Sequence, residues 1–278
     1  MEKQQTSLYQ NGGSYMNVYL PYQKFIESRL TIIDKQQKEV PFVLNNIQSK
    51  FVGDSTGKDI ILKARQQGFS SFILGAFTAD FLLKENTLSV IVADITDNAN
   101  DLLARVKWYI QSYEAKTGTK VPLKYNSKRE LHNAANNSRY IIGTAENTDF
   151  GRSKTITNLH LSEPAFYPHF RQLLASATSA VVPEGKTVIE TTANGFGEFK
   201  TFWDESVLGE TGFVPHFYPA QDFYSEEYLA ERKKALGRLY AQEFPSSALE
   251  AFITSGEGYF DSEALQWYLS KAKEPISV

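Results

Sequence analysis

The chain has 278 residues, of which 42% are hydrophobic and 22% charged, a composition that allows one large globular domain or two small ones. Its formal net charge of −3 excludes a polycation, so nucleic-acid binding would require a local basic patch or a complementary partner. The lack of cysteine excludes disulfides and thiolate metal sites, the polar N-terminus is not a signal peptide, and no apolar run approaches the roughly 18 residues of a membrane span.

The first 40 residues predict a loose arm followed by a helix. Residues 1–16 are polar, and apolar side chains then follow at helical spacing from Asn17 to about Lys38. Pro21 either splits this helix or lies in its first turn.

The next segment, Pro41–Gln48, has two interpretations. It is either an extended stretch that enters a helix, or a clamp for an adenine base. In the second case the Gln48 amide bonds the edge of the base and Phe42 packs on its face.

A strand, a polar turn and a helix follow in the order typical of a phosphate-binding loop. The apolar run 60–62 precedes the turn, and a helical pattern extends from residue 69 to about 84. Backbone N–H groups at the start of such a helix face an anion. The alternative is a basic strand end before an ordinary amphipathic helix.

This loop departs from the standard pattern G-x-x-x-x-G-K-[ST]. Gly68 is the second glycine and Ser70 the closing hydroxyl, whereas Lys63 replaces the first glycine and Phe69 the lysine. The positive charge for the phosphates must then come from Lys63 or Arg65.

The rest of the chain alternates between apolar strands and amphipathic helices. This order predicts a mostly parallel sheet with helices on both faces and a ligand at the carboxyl ends of the strands. The predicted strands are Leu88–Ala93, Arg139–Thr144, Ile156–Leu161, Lys186–Thr192 and Phe213–Tyr218, and the predicted helices span 97–115, 168–181 and 197–207, with a polar region at 116–137.

Further polar clusters follow predicted strands. Glu163 comes after Ser162 at a strand end, where it can act as a general base or merely cap a helix near Pro164. The segment 190–195 can sense a γ-phosphate, or it is a strand cap before an Asn-Gly turn. Arg152 lies in the loop 143–154 and is either an arginine finger or part of a solvated basic loop.

Taken together, these motifs resemble the ATPase domain of the large terminase subunit of tailed bacteriophages over residues from about 40 to 255. The motifs in order are F-x-L-N-x-x-Q from Phe42 to Gln48, the loop Lys63–Ser70, His160–Glu163, Thr191–Asn194, and Gln242–Ser247 with Glu250–Phe252. The resemblance implies a RecA-like P-loop NTPase of the additional-strand, catalytic-Glu type with a mostly parallel central sheet flanked by helices. We expect an N-terminal arm and helical lead-in at 1–40, the ATPase domain at 41–245, and a linker at 246–278.

The resemblance also implies a set of site residues. Glu163 would be the catalytic carboxylate and Arg152 a finger, Ser70 would bind Mg²⁺, and Thr191, Thr192 and Asn194 would form the coupling motif. The residues expected at ATP are Phe42, Gln48, Lys63, Ala64, Arg65, Gln66, Gln67, Gly68, Phe69, Ser70 and Ser71.

The implied partners are those of a packaging motor. They are double-stranded DNA, the portal protein, the small terminase subunit and further copies of the chain in a ring of about five on the procapsid, in the host cytoplasm and without a membrane. Ser162 stands where the first acid of the magnesium pair is expected. About 30 residues follow Phe244, too few for the family's nuclease domain, so no DNA cleavage is expected. The alternatives are a helicase-like or recombination ATPase and a degenerate docking module.

Overall fold

A computed structural model describes residues 18–148 and 153–254, together with residues 267, 268 and 271. Most of the described strands form one large sheet, and helices pack on both faces of that sheet. This is the predicted α/β architecture with a mostly parallel central sheet, which is confirmed.

The strands of the large sheet are β3 Lys58–Lys63, β4 Leu88–Ala93, β5 Leu123–Asn126, β6 Glu130–Asn133, β7 Ser138–Thr144, β8 Ile156–Ser162, β9 Val181–Thr191 and β10 Val214–Tyr218. Their order across the sheet is β10-β3-β9-β8-β4-β7-β6-β5. Strands β10 to β7 in this order are parallel, whereas β5 and β6 form an antiparallel hairpin on β7.

The helices agree with the predicted pattern after residue 69, within a few residues at their ends. The described helices are α1 Leu20–Arg29, α2 Asn46–Asp54, α3 Phe69–Leu83, α4 Thr96–Thr117, α5 Phe170–Thr178, α6 Glu198–Val207, α7 Glu226–Leu236, α8 Tyr240–Glu243 and α9 Ala248–Thr254. Short 3-10 turns lie at Pro164–Phe166, Ala220–Asp222 and Gly237–Leu239.

The prediction of one helix from Asn17 to Lys38 was wrong in its second half. Helix α1 ends at Arg29, and the antiparallel strands β1 (Thr31–Ile33) and β2 (Glu39–Pro41) follow. Three successive residues of β1 are β-branched, which favours an extended backbone over a helix. The polar region 116–137 likewise contains strands β5 and β6.

Two apolar clusters lie on opposite faces of the sheet. One includes buried residues of α1 to α4, such as Phe51, Phe72 and Val106, and the other includes those of α5 and α6, such as Leu173 and Trp203. Strands β3, β4 and β8 are buried along nearly their whole length, as is typical of parallel strands covered on both faces. In the part of the chain described, no helix combines the length and apolar character required to cross a bilayer.

The strand order places three chain segments side by side. Strand β9 lies between β3 and β8, so residues after Lys63, Ser162 and Thr191 come from neighbouring strand ends. Because these strands are parallel, their carboxyl ends meet at one edge of the sheet, where the side chains of distant motifs can touch.

Candidate active site

The loop after β3 turns through two residues in the left-handed backbone region. Gln66 has φ +58° and Gly68 has φ +83°. The backbone angle at position 68 favours glycine, and a Cβ atom there would lie 2.8 Å from Gln48 Nε2 and displace this side chain. The Phe72 N–H donates to Gly68 O, and the N–H groups of residues 69–71 therefore precede the first internal hydrogen bond of α3. They form the anion-facing start of a helix.

Gln48 holds this loop against α2. Its Nε2 donates to Gly68 O at 2.7 Å, and its Oε1 accepts from Asn45 N at 3.0 Å. The Asn45 side chain in turn caps α2 and donates to Gln67 O at 3.1 Å. In this structure the buried Gln48 amide is used within the protein, so it supports the loop rather than presenting its edge to a base.

Lys63 lies between two carboxylates at the end of β3. Its Nζ is 2.9 Å from Glu163 Oε1 and 3.1 Å from Glu190 Oε2. Burial lowers the pKa of Lys63, but the two carboxylates outweigh burial and hold the pKa above its usual range. The loop that carries the displaced lysine and the carboxylate at the end of β8 are therefore in direct contact.

Glu163 has an unusual backbone and a dense set of partners. It has φ +59° and ψ +45°, a left-handed conformation that costs a non-glycine residue energy. Its Oε2 accepts hydrogen bonds from Thr192 N at 2.8 Å and Thr192 Oγ1 at 3.2 Å, and Thr191 Oγ1 lies 3.1 Å away. With 29% of its side chain exposed, Glu163 remains accessible to water.

Glu190 is fully buried on β9 and receives polar groups from both neighbouring strands and from α3. Its Oε1 accepts from Ser70 Oγ at 2.8 Å and Ser162 Oγ at 2.9 Å, and His160 Nε2 is 3.2 Å away. Burial alone raises the pKa of Glu190, but Lys63 and the hydrogen bond with His160 outweigh it and lower the pKa to about 2. Glu190 is thus a buried, ionised carboxylate.

The C-terminal part of the described chain contacts the other side of the loop. Arg65 N donates to Glu243 O at 2.9 Å, Arg65 Nη1 lies 3.1 Å from Glu243 Oε2, and Tyr224 Oη donates to Arg65 O at 2.7 Å. Gln67 Nε2 donates to Pro219 O at 3.1 Å. The Arg65 guanidinium is directed to Glu243 in this structure, which leaves Lys63 as the cation within the carboxylate cluster.

Several other predicted residues are placed less directly. Phe42 is buried and packs against Tyr109 in the apolar core, so its ring does not form an open face for a base. Ala64 and Phe69 are also buried, and Ser71 Oγ accepts from Arg105 Nη1 at 3.3 Å. Asn194 Nδ2 donates to Ala165 O at 3.2 Å, beside Glu163. Arg152 lies outside the described residues.

Sequence reasoning included Glu190 only as the first residue of the segment 190–195 and gave it no role of its own, and it did not assign Arg105 to the site. Glu190 precedes the Thr191-Thr192 pair, and its signal was a charged residue directly after the apolar pair Val188-Ile189. Arg105 lies on α4, and only the packing of α4 against α3 brings it to the start of the phosphate loop helix.

The donor set fits a nucleotide with Mg²⁺. The hydroxyl of Ser70 and the carboxylate of Glu190 are oxygen ligands of the kind that Mg²⁺ prefers, and the buried Oε2 of Glu190 accepts no hydrogen bond from the described residues. The described residues contain no cluster of three or more His, Cys, Asp or Glu suited to a metal. Phosphate oxygens would therefore complete the coordination, as is usual for Mg²⁺ at nucleotides.

Comparison with known proteins identifies the fold. No family model and no curated protein sequence matches the chain. Among solved structures, the HK97 bacteriophage large terminase aligns with a TM-score of 0.59 and 19% identity over 84% of this chain and 50% of its own. The large terminase ATPase domain of Thermus phage P74-26 aligns with a TM-score of 0.55 and 18% identity, over 72% of this chain and 97% of its own.

A third similar structure contains a nucleotide. It is the large terminase of another thermophilic bacteriophage in complex with ADP, which aligns with a TM-score of 0.53 and 12% identity, over 67% of this chain and 47% of its own. The chain spans about half the length of the HK97 protein and of this ADP-bound terminase. The resemblance found in the sequence is confirmed at the level of the fold: this chain has the fold of the ATPase domain of bacteriophage large terminases.

Proposed function

We propose that the chain is an ATP-hydrolysing motor domain that drives double-stranded viral DNA into a procapsid. The observation that carries this proposal is the 2.9 Å contact between Lys63 Nζ and Glu163 Oε1. It joins a phosphate-binding loop to a water-accessible carboxylate at the carboxyl edge of a parallel sheet, where nucleotides bind in such folds. The fold shared with large-terminase ATPase domains and the ADP bound by one of those terminases support ATP as the ligand.

The loop residues bind the triphosphate in this proposal. The N–H groups at the start of α3 face the phosphate oxygens, Lys63 supplies the positive charge, and Ser70 holds Mg²⁺. When bound, Mg²⁺ neutralises charge on the phosphate oxygens. Arg65 reaches the phosphates after it leaves Glu243, and Arg152 acts as a finger toward a neighbouring copy.

Glu163 is the general base in this proposal, and Lys63 controls its availability. A γ-phosphate competes with Glu163 for Lys63, so ATP binding leaves Glu163 Oε1 open to accept a proton from the attacking water. Thr191 and Thr192 contact the other carboxylate oxygen, Oε2. Loss of the γ-phosphate returns Lys63 to Glu163, and the two threonines and Asn194 transmit this change along β9 and its following loop.

The wider assembly is part of the same proposal. Copies of the chain form a ring of about five on the portal of the procapsid, the small terminase subunit presents the DNA, and the assembly works in the host cytoplasm. The fold shared with bacteriophage large terminases supports this assignment, because the resemblance of the sequence motifs to that family implies a packaging motor.

The replacement Glu163→Gln tests the catalytic assignment. It removes the base but keeps the side-chain volume, so phosphate release with Mg²⁺ should fall by a factor of about 10² or more. Binding of ATP-γ-S, measured by calorimetry, should remain within a few-fold of wild type. The matched control is Glu184→Gln, an exposed glutamate at the opposite end of β9, which should leave both quantities unchanged.

Three results would count against the proposal. Unchanged turnover in Glu163→Gln would remove Glu163 from its role, and a wild-type chain that binds no nucleotide would refute the ATPase assignment. DNA-stimulated turnover provides the third test. Stimulation by single-stranded DNA with unwinding of duplexes, rather than by double-stranded DNA, would indicate a helicase and contradict the packaging function.

A further inference from the structure

Glu190 lies beside Ser162, the position at which the resemblance predicts the first acid of the magnesium pair. The strand β8 ends at Ser162, and in the register of the sheet Ser162 is the partner of Glu190 on β9. The Ser162 hydroxyl donates to Glu190 Oε1 at 2.9 Å. Position 162 has no carboxylate, but the carboxylate of Glu190 on the neighbouring strand lies within hydrogen-bond distance of it.

The same carboxylate oxygen also reaches the phosphate loop. The Ser70 hydroxyl, which closes the loop at the start of α3, donates to Glu190 Oε1 at 2.8 Å. Glu190 thus connects the hydroxyl proposed to bind Mg²⁺ with the strand end where a second oxygen ligand is expected.

Burial of this carboxylate is costly and only partly compensated. Glu190 is 0% exposed, and a buried charge requires both an ion pair and hydrogen bonds to its remaining lone pairs. Oε1 accepts such hydrogen bonds, whereas the only charged group of the described residues next to Oε2 is Lys63 Nζ at 3.1 Å, and Oε2 accepts no hydrogen bond from a hydroxyl or backbone group of those residues. Glu190 Oε2 therefore has capacity for a further partner next to Lys63, while Oε1 of the same carboxylate contacts the Ser70 hydroxyl.

We infer that Glu190 provides the magnesium-site carboxylate that position 162 lacks, a role that rests on the proposed ATPase function. Mg²⁺ at nucleotides uses one or two carboxylates, directly or through its water shell, and takes its other ligands from phosphates. The described site has the Ser70 hydroxyl and this one buried carboxylate for that purpose. Glu163, which contacts Thr192 and Lys63, remains the base.

The replacement Glu190→Gln tests this inference through binding rather than turnover. ATP-γ-S affinity is measured by calorimetry with Mg²⁺ and again with EDTA, and Mn²⁺ affinity of the nucleotide complex is measured by electron paramagnetic resonance. We expect the metal-dependent gain in affinity, and the Mn²⁺ affinity, to fall by about 10- to 100-fold. Affinity in EDTA should change by no more than a few-fold.

The matched control is Asp80→Asn. Asp80 is another buried carboxylate, and it pairs with Lys186 Nζ at 2.8 Å, on a part of α3 distant from the loop. This variant also leaves a buried lysine without its partner, so it reproduces the destabilisation but should retain the full effect of Mg²⁺. A loss of metal dependence in Asp80→Asn as large as in Glu190→Gln would overturn the inference.

A second variant returns the acid to the neighbouring strand. In Ser162→Asp/Glu190→Gln the carboxylate stands at position 162, and we expect much of the metal-dependent affinity to return. If Glu190 only positioned Lys63, Glu190→Gln would lower affinity equally with and without Mg²⁺, and the added aspartate would restore no metal dependence. Either result would refute the inference.

A structure of the wild-type chain with ATP-γ-S and Mn²⁺ provides a readout that needs no variant. An anomalous peak between Ser70 Oγ and the Glu190 carboxylate would support the inference, and a peak on any other side of Ser70 would refute it. The outcomes separate the two proposals. If Mg²⁺ raises ATP-γ-S affinity equally in wild type and Glu190→Gln, only the role of Glu190 is refuted. A wild-type chain that binds no nucleotide refutes both the role of Glu190 and the ATPase function.

Discussion

The replacement Lys63→Met removes the only basic side chain that, among the described residues, forms an ion pair with both carboxylates of the site. Lys63 Nζ lies 2.9 Å from Glu163 Oε1 and 3.1 Å from Glu190 Oε2. The two carboxylates lose different amounts of stabilisation, because 29% of the Glu163 side chain is exposed while Glu190 is 0% exposed. Water can replace Lys63 at Glu163, but Glu190 becomes a buried charge without its lysine partner.

The expected loss of stability follows from that burial. Removing one partner of a buried ion pair costs about 3–5 kcal/mol. For a domain of this size, the same loss lowers the melting temperature by roughly 5–9 °C. The measurement is urea unfolding of the nucleotide-free protein, followed by circular dichroism and tryptophan fluorescence, with the m-value used to check that the folded and unfolded states are otherwise unchanged.

The double variant Lys63→Met/Glu190→Gln distinguishes the destabilisation caused by an unpaired buried charge from that caused by lost packing. Glutamine retains an oxygen that can accept from Ser70 and Ser162 but carries no charge. We expect the double variant to be more stable than Lys63→Met alone, although it contains one more substitution. A Lys63→Met protein within about 1 kcal/mol of wild type, or a double variant with the sum of both single losses, would refute this reasoning.

Two further predictions concern α3. Burial raises the pKa of Asp80, but Lys186 and Lys84 outweigh burial and hold the pKa below the usual range of an aspartate. Asp80 therefore stabilises the fold above that range and loses this contribution as the pH falls through its folded-state pKa. In Asp80→Asn the free energy of unfolding should therefore fall less steeply below about pH 4 than in wild type, as measured by urea unfolding at a series of pH values. The same slope in both proteins would contradict this prediction. Gly68→Ala forces a Cβ atom to 2.8 Å from Gln48 Nε2 at φ +83°, so we expect a loss of about 1–2 kcal/mol or more and weaker ATP-γ-S binding. Equal stability of this variant and wild type in thermal unfolding would show that the loop tolerates the side chain.

The sequence predicts most of the central sheet because its parallel strands contain short groups of apolar residues and alternate along the chain with segments of helical pattern. Strands β4, β7 and β8 are each bounded by turn residues and lie where the pattern places them. The small hairpin of β1 and β2 was missed because the spacing of its apolar residues also fits the helix that precedes it. Strand β5 has mostly exposed side chains, so it lacks the apolar alternation that identifies a strand.

The candidate site was predictable only in part. Motif order places Lys63 and Glu163 at strand ends, and the parallel sheet then requires them to lie close together. The roles of Gln48 and Glu190 depend on partners far away in sequence, Gly68 O for the first and Ser70, Ser162 and Lys63 for the second. The sequence alone does not distinguish a polar side chain that binds a ligand from one that hydrogen-bonds to other groups of the protein.

At position 163, the stability of the backbone and the proposed chemistry favour different residues. Glycine adopts φ near +60° at lower energy than any residue with a Cβ atom, but it carries no carboxylate. Selection for thermal stability alone should therefore accept replacements at this position that selection for the proposed ATPase activity rejects. A library screened only for folding would enrich glycine or asparagine at residue 163, and this enrichment would show that stability and activity favour different residues at the same position.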